Sequence, residues 1–313
     1  MRLIFGVDIG GTTIKFGRFT EECELLEKWS VETDLSDYGT HIVPQVAEQL
    51  SVHMKERQIR KEEVLGIGMG IPGPVTASGY VEKCVNLHWT KFNPVIELEK
   101  FFPGFLIRAE NDANVASLGE YYQGAGKAVS SMMMVTLGTG VGGGVIIDGK
   151  ILTGAHGIGG EIGHIATDPT QEETCNCGNK GCIDQCASAR GIVRKAEKLL
   201  NSSDQASVLR SCKTLTAKEV CDGARAGDGL AVRVIEECMY PLGVGLAHFS
   251  HAFDPELYVI GGGVSLAGDV IVDAVRKGYG AHLFLTETGA DIRLAELGND
   301  AGMTGACALI AKE

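Results

Sequence analysis

The 313-residue sequence has no apolar run near the roughly 18 residues of a membrane-spanning helix. No membrane partner is expected. The opening MRLIFGVDIGGTT carries one Arg and a short apolar stretch that turns into glycines and polar residues, so it lacks a secretory signal's apolar core and cleavage site. Positive charge is scarce: 28 Lys and Arg stand against 40 Asp and Glu, a net charge of −12, which argues against a nucleic-acid or anionic-membrane surface. With no export signal, the ten cysteines read as reduced thiols, and a cytoplasmic protein is expected. Low-complexity linkers are also missing, although a chain of this length is expected to hold about two domains.

Glycine is what the chain has in excess: its 43 residues are about twice the average share. They cluster at the ends of apolar runs. Leu3 to Ile9 meets Gly10 and Gly11, and Ile14 to Phe19 follows, which predicts a hairpin with Thr12 and Thr13 at its tip. Met132 to Ile147 repeats the layout around Gly138, Thr139 and Gly140. Further strands are predicted at Leu25 to Val31, Val64 to Ile71, Leu106 to Glu110, Leu257 to Ile260 and Ile292 to Ala295. Helical spacing runs over Ile42 to Arg57, from Asp112, over Ile192 to Leu200, over Gly229 to Phe253, after Val264 and from Ala301. Strands followed by strands, then helices, in each half predict two α/β lobes with mixed sheets.

Each motif admits a plain and a chemical reading. Asp8 to Thr13 is a hairpin turn, or a phosphate loop whose N–H groups and hydroxyls donate to oxygens while Asp8 places a magnesium ion. Leu137 to Gly144 has the same two readings. Gly261 to Gly263 is a strand-to-helix turn, or a close backbone approach to an adenosine. Asp112, beside Asn111 and Asn114, is a helix cap, or a base that orients a hydroxyl and takes its proton. His164, Cys175, Cys177 and Cys182 are buried polar residues, or one imidazole and three thiolates closing a tetrahedral zinc site. Cys186 lies four residues beyond and competes as a ligand. Glu161, three residues before His164, is a solvated charge, or a carboxylate held rigid by the metal.

Taken together, Asp8-x-Gly-Gly-Thr, Gly70-Ile-Pro-Gly-Pro74, Glu110-Asn-Asp-Ala-Asn114, Leu137-Gly-Thr-Gly-Val-Gly-Gly-Gly144, Gly159-Gly-Glu-Ile-Gly-His164 and Cys175-x-Cys-Gly-x-x-Gly-Cys182 resemble the ROK family of repressors, open-reading-frame proteins and sugar kinases. Within it the chain is most similar to glucokinases of Gram-positive bacteria. The resemblance implies a two-lobed actin-like ATPase (ribonuclease H-like) fold with a structural zinc site, and nucleotide and sugar in the cleft between lobes. The small lobe is expected at 1–111, completed by the helix at 301–313, and the large lobe with the zinc loop at 112–300.

By the same resemblance Asp112 is the base on the sugar 6-hydroxyl, and Gly73, Asn86, Asn111, Glu161, His164 and Asp184 line the sugar. Asp8, Gly10, Gly11, Thr12, Thr13, Lys15, Gly138, Thr139 and Gly140 face the phosphates and magnesium, and Gly262 and Gly263 the adenosine. His164, Cys175, Cys177 and Cys182 hold zinc. The implied partners are ATP and a hexose, and the implied assembly is a homodimer or homotetramer. Asp184 departs from the family's usual Glu by one methylene, and Cys186 stands where an aromatic residue is usual; both bear on the choice of sugar. Kinases for N-acetylmannosamine or fructose are the rival readings. A sugar-responsive regulator is a further one, but such proteins carry a DNA-binding domain ahead of the kinase-like part, and here the first strand is predicted at Leu3.

Overall fold

The computed structural model describes residues 2–284 and 288–312 and divides into two compact units. The first comprises Met1–Ala128, Gly144–Gly159 and Glu296–Glu313, the second Val129–Gly143 and Gly160–Ala295. Met1 and Glu313, the ends of the expected small lobe, lie outside the described residues.

In the first unit the strands are β1 (Leu3–Ile9), β2 (Thr13–Thr20), β3 (Leu25–Glu32), β4 (Val64–Ile71), the short ribbon β5 (Val81–Cys84) and β6 (Trp89–Phe92), and β7 (Leu106–Asn111). They form a five-stranded sheet in the order β3-β2-β1-β4-β7, with β5 and β6 paired separately. The hairpin β1-β2 and its neighbour β3 are antiparallel, whereas β4 and β7 join parallel. Burial follows the sequence pattern. The unbroken run in β1 is buried except at Asp8, as a central strand covered on both faces requires, while the alternating β3 faces solvent along one edge. The ribbon escapes the sequence pattern because four-residue strands carrying Glu82, Lys83, Thr90 and Lys91 are too short to show a period.

The helix Ala301–Ala311 is built of small residues and is buried over most of its length. It runs so close to its neighbours that a Cβ at Gly305 would lie 1.5 Å from the Val115 carbonyl oxygen, and one at Gly68 1.8 Å from that of Ala306. This packing places the helix Asp112–Gln123 in the first unit, so the division falls after Ala128 and not at residue 112. Glu120, fully buried, fixes the returning chain by accepting from the N–H groups of Glu296 (3.1 Å) and Leu297 (2.8 Å).

A second five-stranded sheet repeats the strand order. β8 (Ser131–Leu137), β9 (Val141–Ile147), β10 (Lys150–Ile151), β11 (Leu257–Gly261) and β12 (Asp291–Leu294) are arranged β10-β9-β8-β11-β12, with β11 parallel to both β8 and β12. Of these strands, β8, β11, β12 and the start of β9 up to Gly143 belong to the second unit, whereas the rest of β9 and β10 are counted with the first. The helices of the second unit include Ile183–Ala187, Ala189–Ser202, Ala217–Arg225, Gly229–Phe253 and Asp269–His282. Beyond Gly262 the chain makes a 3₁₀ turn, Gly263–Ala267, before its helix, later than Val264 where the sequence pattern starts it. Among the described residues no helix is long and apolar enough to cross a membrane.

Candidate active site

In the first unit the β1-β2 tip is closed by Gly10 N donating to Thr13 O (3.0 Å). Thr33 braces it, its hydroxyl donating to Gly10 O (2.6 Å) and its N–H to Thr12 O (3.0 Å). Gly11 lies against the backbone of Asn86, where a Cβ would come within 3.1 Å of the Asn86 carbonyl oxygen, so two candidate residues 75 positions apart meet. Asp8 pairs across the hairpin with Lys15, Nζ to Oδ2 being 3.4 Å, and it fills the space that the missing side chain of Gly302 leaves. Burial pushes the Asp8 carboxyl above its ordinary value, against the pull of Lys15.

Asp112 is the first residue of its helix and not the cap. That place belongs to Asn111, whose Oδ1 accepts from the N–H groups of Ala113 (2.9 Å) and Asn114 (3.1 Å). Asx residues at both positions satisfy the same local pattern, and the end of β7 decides which one caps. Asn111 Nδ2 donates to Gly73 O (3.0 Å) and to Asp112 Oδ1 (3.0 Å), and Ala113 N also donates to that oxygen (2.8 Å). One carboxylate oxygen of Asp112 is thereby fixed by two donors, while both donors and both acceptor positions of Asn111 are engaged inside the protein. Glu110 was missed by the sequence reading as a support. Its Oε1 accepts from Asn111 N (2.8 Å) and Asn114 Nδ2 (3.1 Å), and burial pushes its carboxyl up.

In the second unit Gly138, Thr139 and Gly263 come together as lining of one cavity of about 550 Å³. Gly262 (φ +84°) sits outside the lining, where a Cβ would lie 2.5 Å from Leu137 O. The helix Ala217–Arg225 contributes Ala217, Lys218, Cys221, Asp222 and Arg225 to the same cavity. These residues were also missed, because only the helical spacing of Val220, Cys221 and Ala224 hints at them. Asp184 is buried, and its Oδ1 accepts from Val141 N at the end of the β8-β9 turn (2.9 Å).

The four sulfur and nitrogen residues converge. The ligand atoms of His164, Cys175, Cys177 and Cys182 all lie within 4.8 Å of one another, with His164 Nδ1 to Cys175 Sγ at 3.6 Å and Cys177 Sγ to Cys182 Sγ at 3.7 Å. A tetrahedron with Zn–S near 2.3 Å and Zn–N near 2.05 Å has edges of about 3.8 Å between sulfurs and about 3.6 Å between sulfur and nitrogen. The donor set therefore fits zinc in its chemistry, and these two separations match tetrahedral edges, with the remaining ones within 4.8 Å. Burial and the neighbouring thiols push the Cys182 thiol up to about 12, so a cation is what would let this crowded group ionise together. Cys186 stands apart, its sulfur 4.0 Å from Asp168 Oδ2. Glu161 is exposed at the head of the short turn Ile162–His164, which ties it to the cluster.

Residues 4–313 match the ROK family. A glucokinase of Halalkalibacterium halodurans is 39% identical over 97% of this chain and 93% of its own length, and a glucokinase of Thermotoga maritima is 33% identical over 98% and 96%. The solved structure of a ROK family glucokinase from Streptomyces griseus, in complex with glucose and AMPPNP, matches with a TM-score of 0.80 at 34% identity, covering 99% of this chain and 100% of that one.

Proposed function

Since the chain belongs to the ROK family, we propose that it is an ATP-dependent glucokinase, transferring the γ-phosphoryl group of ATP to the 6-hydroxyl of glucose to give glucose 6-phosphate and ADP. Similarity to glucokinases over nearly the whole chain supports the substrates. The geometric observation that carries the reading is the Asp112 carboxylate, held by Asn111 and by its own helix.

Phosphoryl transfer asks little covalent chemistry of a protein, because positioning and charge stabilisation lower most of the barrier. Asp112 orients the 6-hydroxyl and takes its proton as the oxygen bonds to the γ-phosphorus. The bond from that phosphorus to the β-bridging oxygen breaks, and its electron pair leaves with ADP. The turns at Gly11 to Thr13 and Thr139 to Gly140 offer backbone N–H groups to the phosphates, with Lys15 adding charge. Gly263 lines the adenosine cavity, and Gly262 lets the chain pass under Leu137. Asp8 supplies a hard oxygen for a magnesium ion, which neutralises phosphate charge when bound. Asn86, Glu161 and His164 are the further ligands we assign to sugar hydroxyls, whereas Asn111 can turn to the sugar only by giving up a bond to Gly73 or Asp112. His164, Cys175, Cys177 and Cys182 hold a structural zinc ion that stiffens the loop behind Glu161. We place the activity in the cytoplasm, where thiolates stay reduced.

Steady-state kinetics across glucose, mannose, fructose, N-acetylglucosamine and N-acetylmannosamine test the proposal. The highest kcat/KM is expected for glucose; a higher value for fructose or an N-acetylhexosamine would overturn the substrate assignment.

A further inference from the structure

The β8-β9 turn is suspended from a single short segment of the second unit. Asp184 Oδ1 accepts from Val141 N at 2.9 Å, Arg190 Nε donates to Thr139 O at 3.0 Å, and Ala189 N donates to Gly138 O at 2.8 Å. The two charged residues face each other, with Arg190 Nη2 3.7 Å from Asp184 Oδ2. Gly140 completes the fit, because a Cβ there would come within 2.9 Å of Asp184 Oδ1. The carboxylate therefore fills the space beneath the turn. Among the described residues, the N–H groups of Thr139 and Gly140 donate to no protein group, whereas their neighbours on both sides are bonded. Successive free N–H groups held by a pinned backbone form an anion-binding concavity.

We propose that Asp184 and Arg190 are positioning residues for the nucleotide: together they hold the β8-β9 turn in the shape that presents Thr139 N–H and Gly140 N–H to the phosphates. The assignment rests on reading this turn as a phosphate loop, and it moves Asp184 from the sugar side of the site to the nucleotide side. Electrostatics explains why the pair is needed. A lone buried carboxylate under a phosphate loop would repel the ligand, and the Arg190 guanidinium cancels that charge while fixing the Thr139 carbonyl.

The prediction separates the two KM values. Arg190 is half exposed, so Arg190→Gln is expected to fold, and it should raise KM for ATP about 10-fold, the scale of one lost charge-assisted contact. KM for glucose should stay as it is. Asp184→Asn keeps an oxygen for Val141 N but removes the negative charge, so combining it with Arg190→Gln should recover part of the lost ATP affinity. Melting curves and zinc content serve as folding controls, and Arg190→Lys should restore ATP affinity in part. A rise in KM for glucose with KM for ATP unchanged in Asp184→Asn would return Asp184 to the sugar and overturn the proposal. Direct titration with ATP keeps the two ideas distinct. If the unaltered protein binds no ATP, the phosphate-loop reading fails; if it binds ATP and both single variants bind equally well, only the positioning role fails.

Discussion

Replacing Asp112 with Asn is the sharpest test of the proposed chemistry, because the structure shows what the exchange preserves. Oδ1 accepts from Asn111 Nδ2 at 3.0 Å and from Ala113 N at 2.8 Å, and an amide oxygen can take both bonds in the same place. Helix geometry and the placing of the 6-hydroxyl should thus survive, while the group loses its capacity to accept a proton. General-base loss is worth about 10²- to 10⁴-fold in kcat, or roughly 3–5 kcal/mol of barrier. The cost to folding is much smaller: losing a negative charge in the first turn forfeits roughly 0.3–1 kcal/mol of interaction with the helix dipole. A coupled assay for ADP formation, calorimetric titration with glucose and a melting curve report the three quantities separately. The expected pattern is collapsed turnover, retained sugar binding and a small loss of stability. Near-normal turnover with lowered stability would reduce Asp112 to a residue of the helix start and remove the proposed mechanism.

Two more outcomes follow from the same geometry. Elemental analysis should find about one zinc per chain, lost together with thermal stability in Cys177→Ser but kept in Cys186→Ala, whose sulfur lies outside the cluster; the opposite pattern would show the ligand set to be wrong. Burial raises the Asp8 carboxyl, so the folded state holds this proton more tightly than the unfolded chain, and the associated stability is present in acid and lost as pH climbs through the raised value. Asp8→Asn should therefore melt above the unaltered protein near neutrality, with the gap closing in acid, while activity falls with the loss of the proposed magnesium ligand. A gap that widens on acidification would contradict the assigned direction.

Local chemistry was legible without coordinates where one short stretch carries it. The hairpins at Gly10 to Thr13 and Gly138 to Gly140 show as glycines between apolar runs, because only a tight turn lets two buried strands reverse there. Spacing brought His164, Cys175, Cys177 and Cys182 forward as one cluster, since three thiols within eight positions cannot avoid one another. Resolution failed at single-residue offsets and at amphipathic pieces without a motif. Asn111 and Asp112 are equally good caps by composition, and the helix Ala217–Arg225 carries no residue type that marks it as the wall of a cavity.

The sequence by itself determined the repeated succession of strands, glycine turns and helices and the inventory of carboxylates, amides and thiols available for chemistry, because both depend on residue type and near spacing. Tertiary structure decided which residues share a neighbourhood. The helix Asp112–Gln123 joined the first unit because glycines from positions 119 and 305 let two helix backbones approach to a distance that no larger side chain allows. Asp184 came to lie under the β8-β9 turn for a related reason: a short carboxylate fits the space left by Gly140, and a buried charge must settle where N–H donors and a guanidinium meet it.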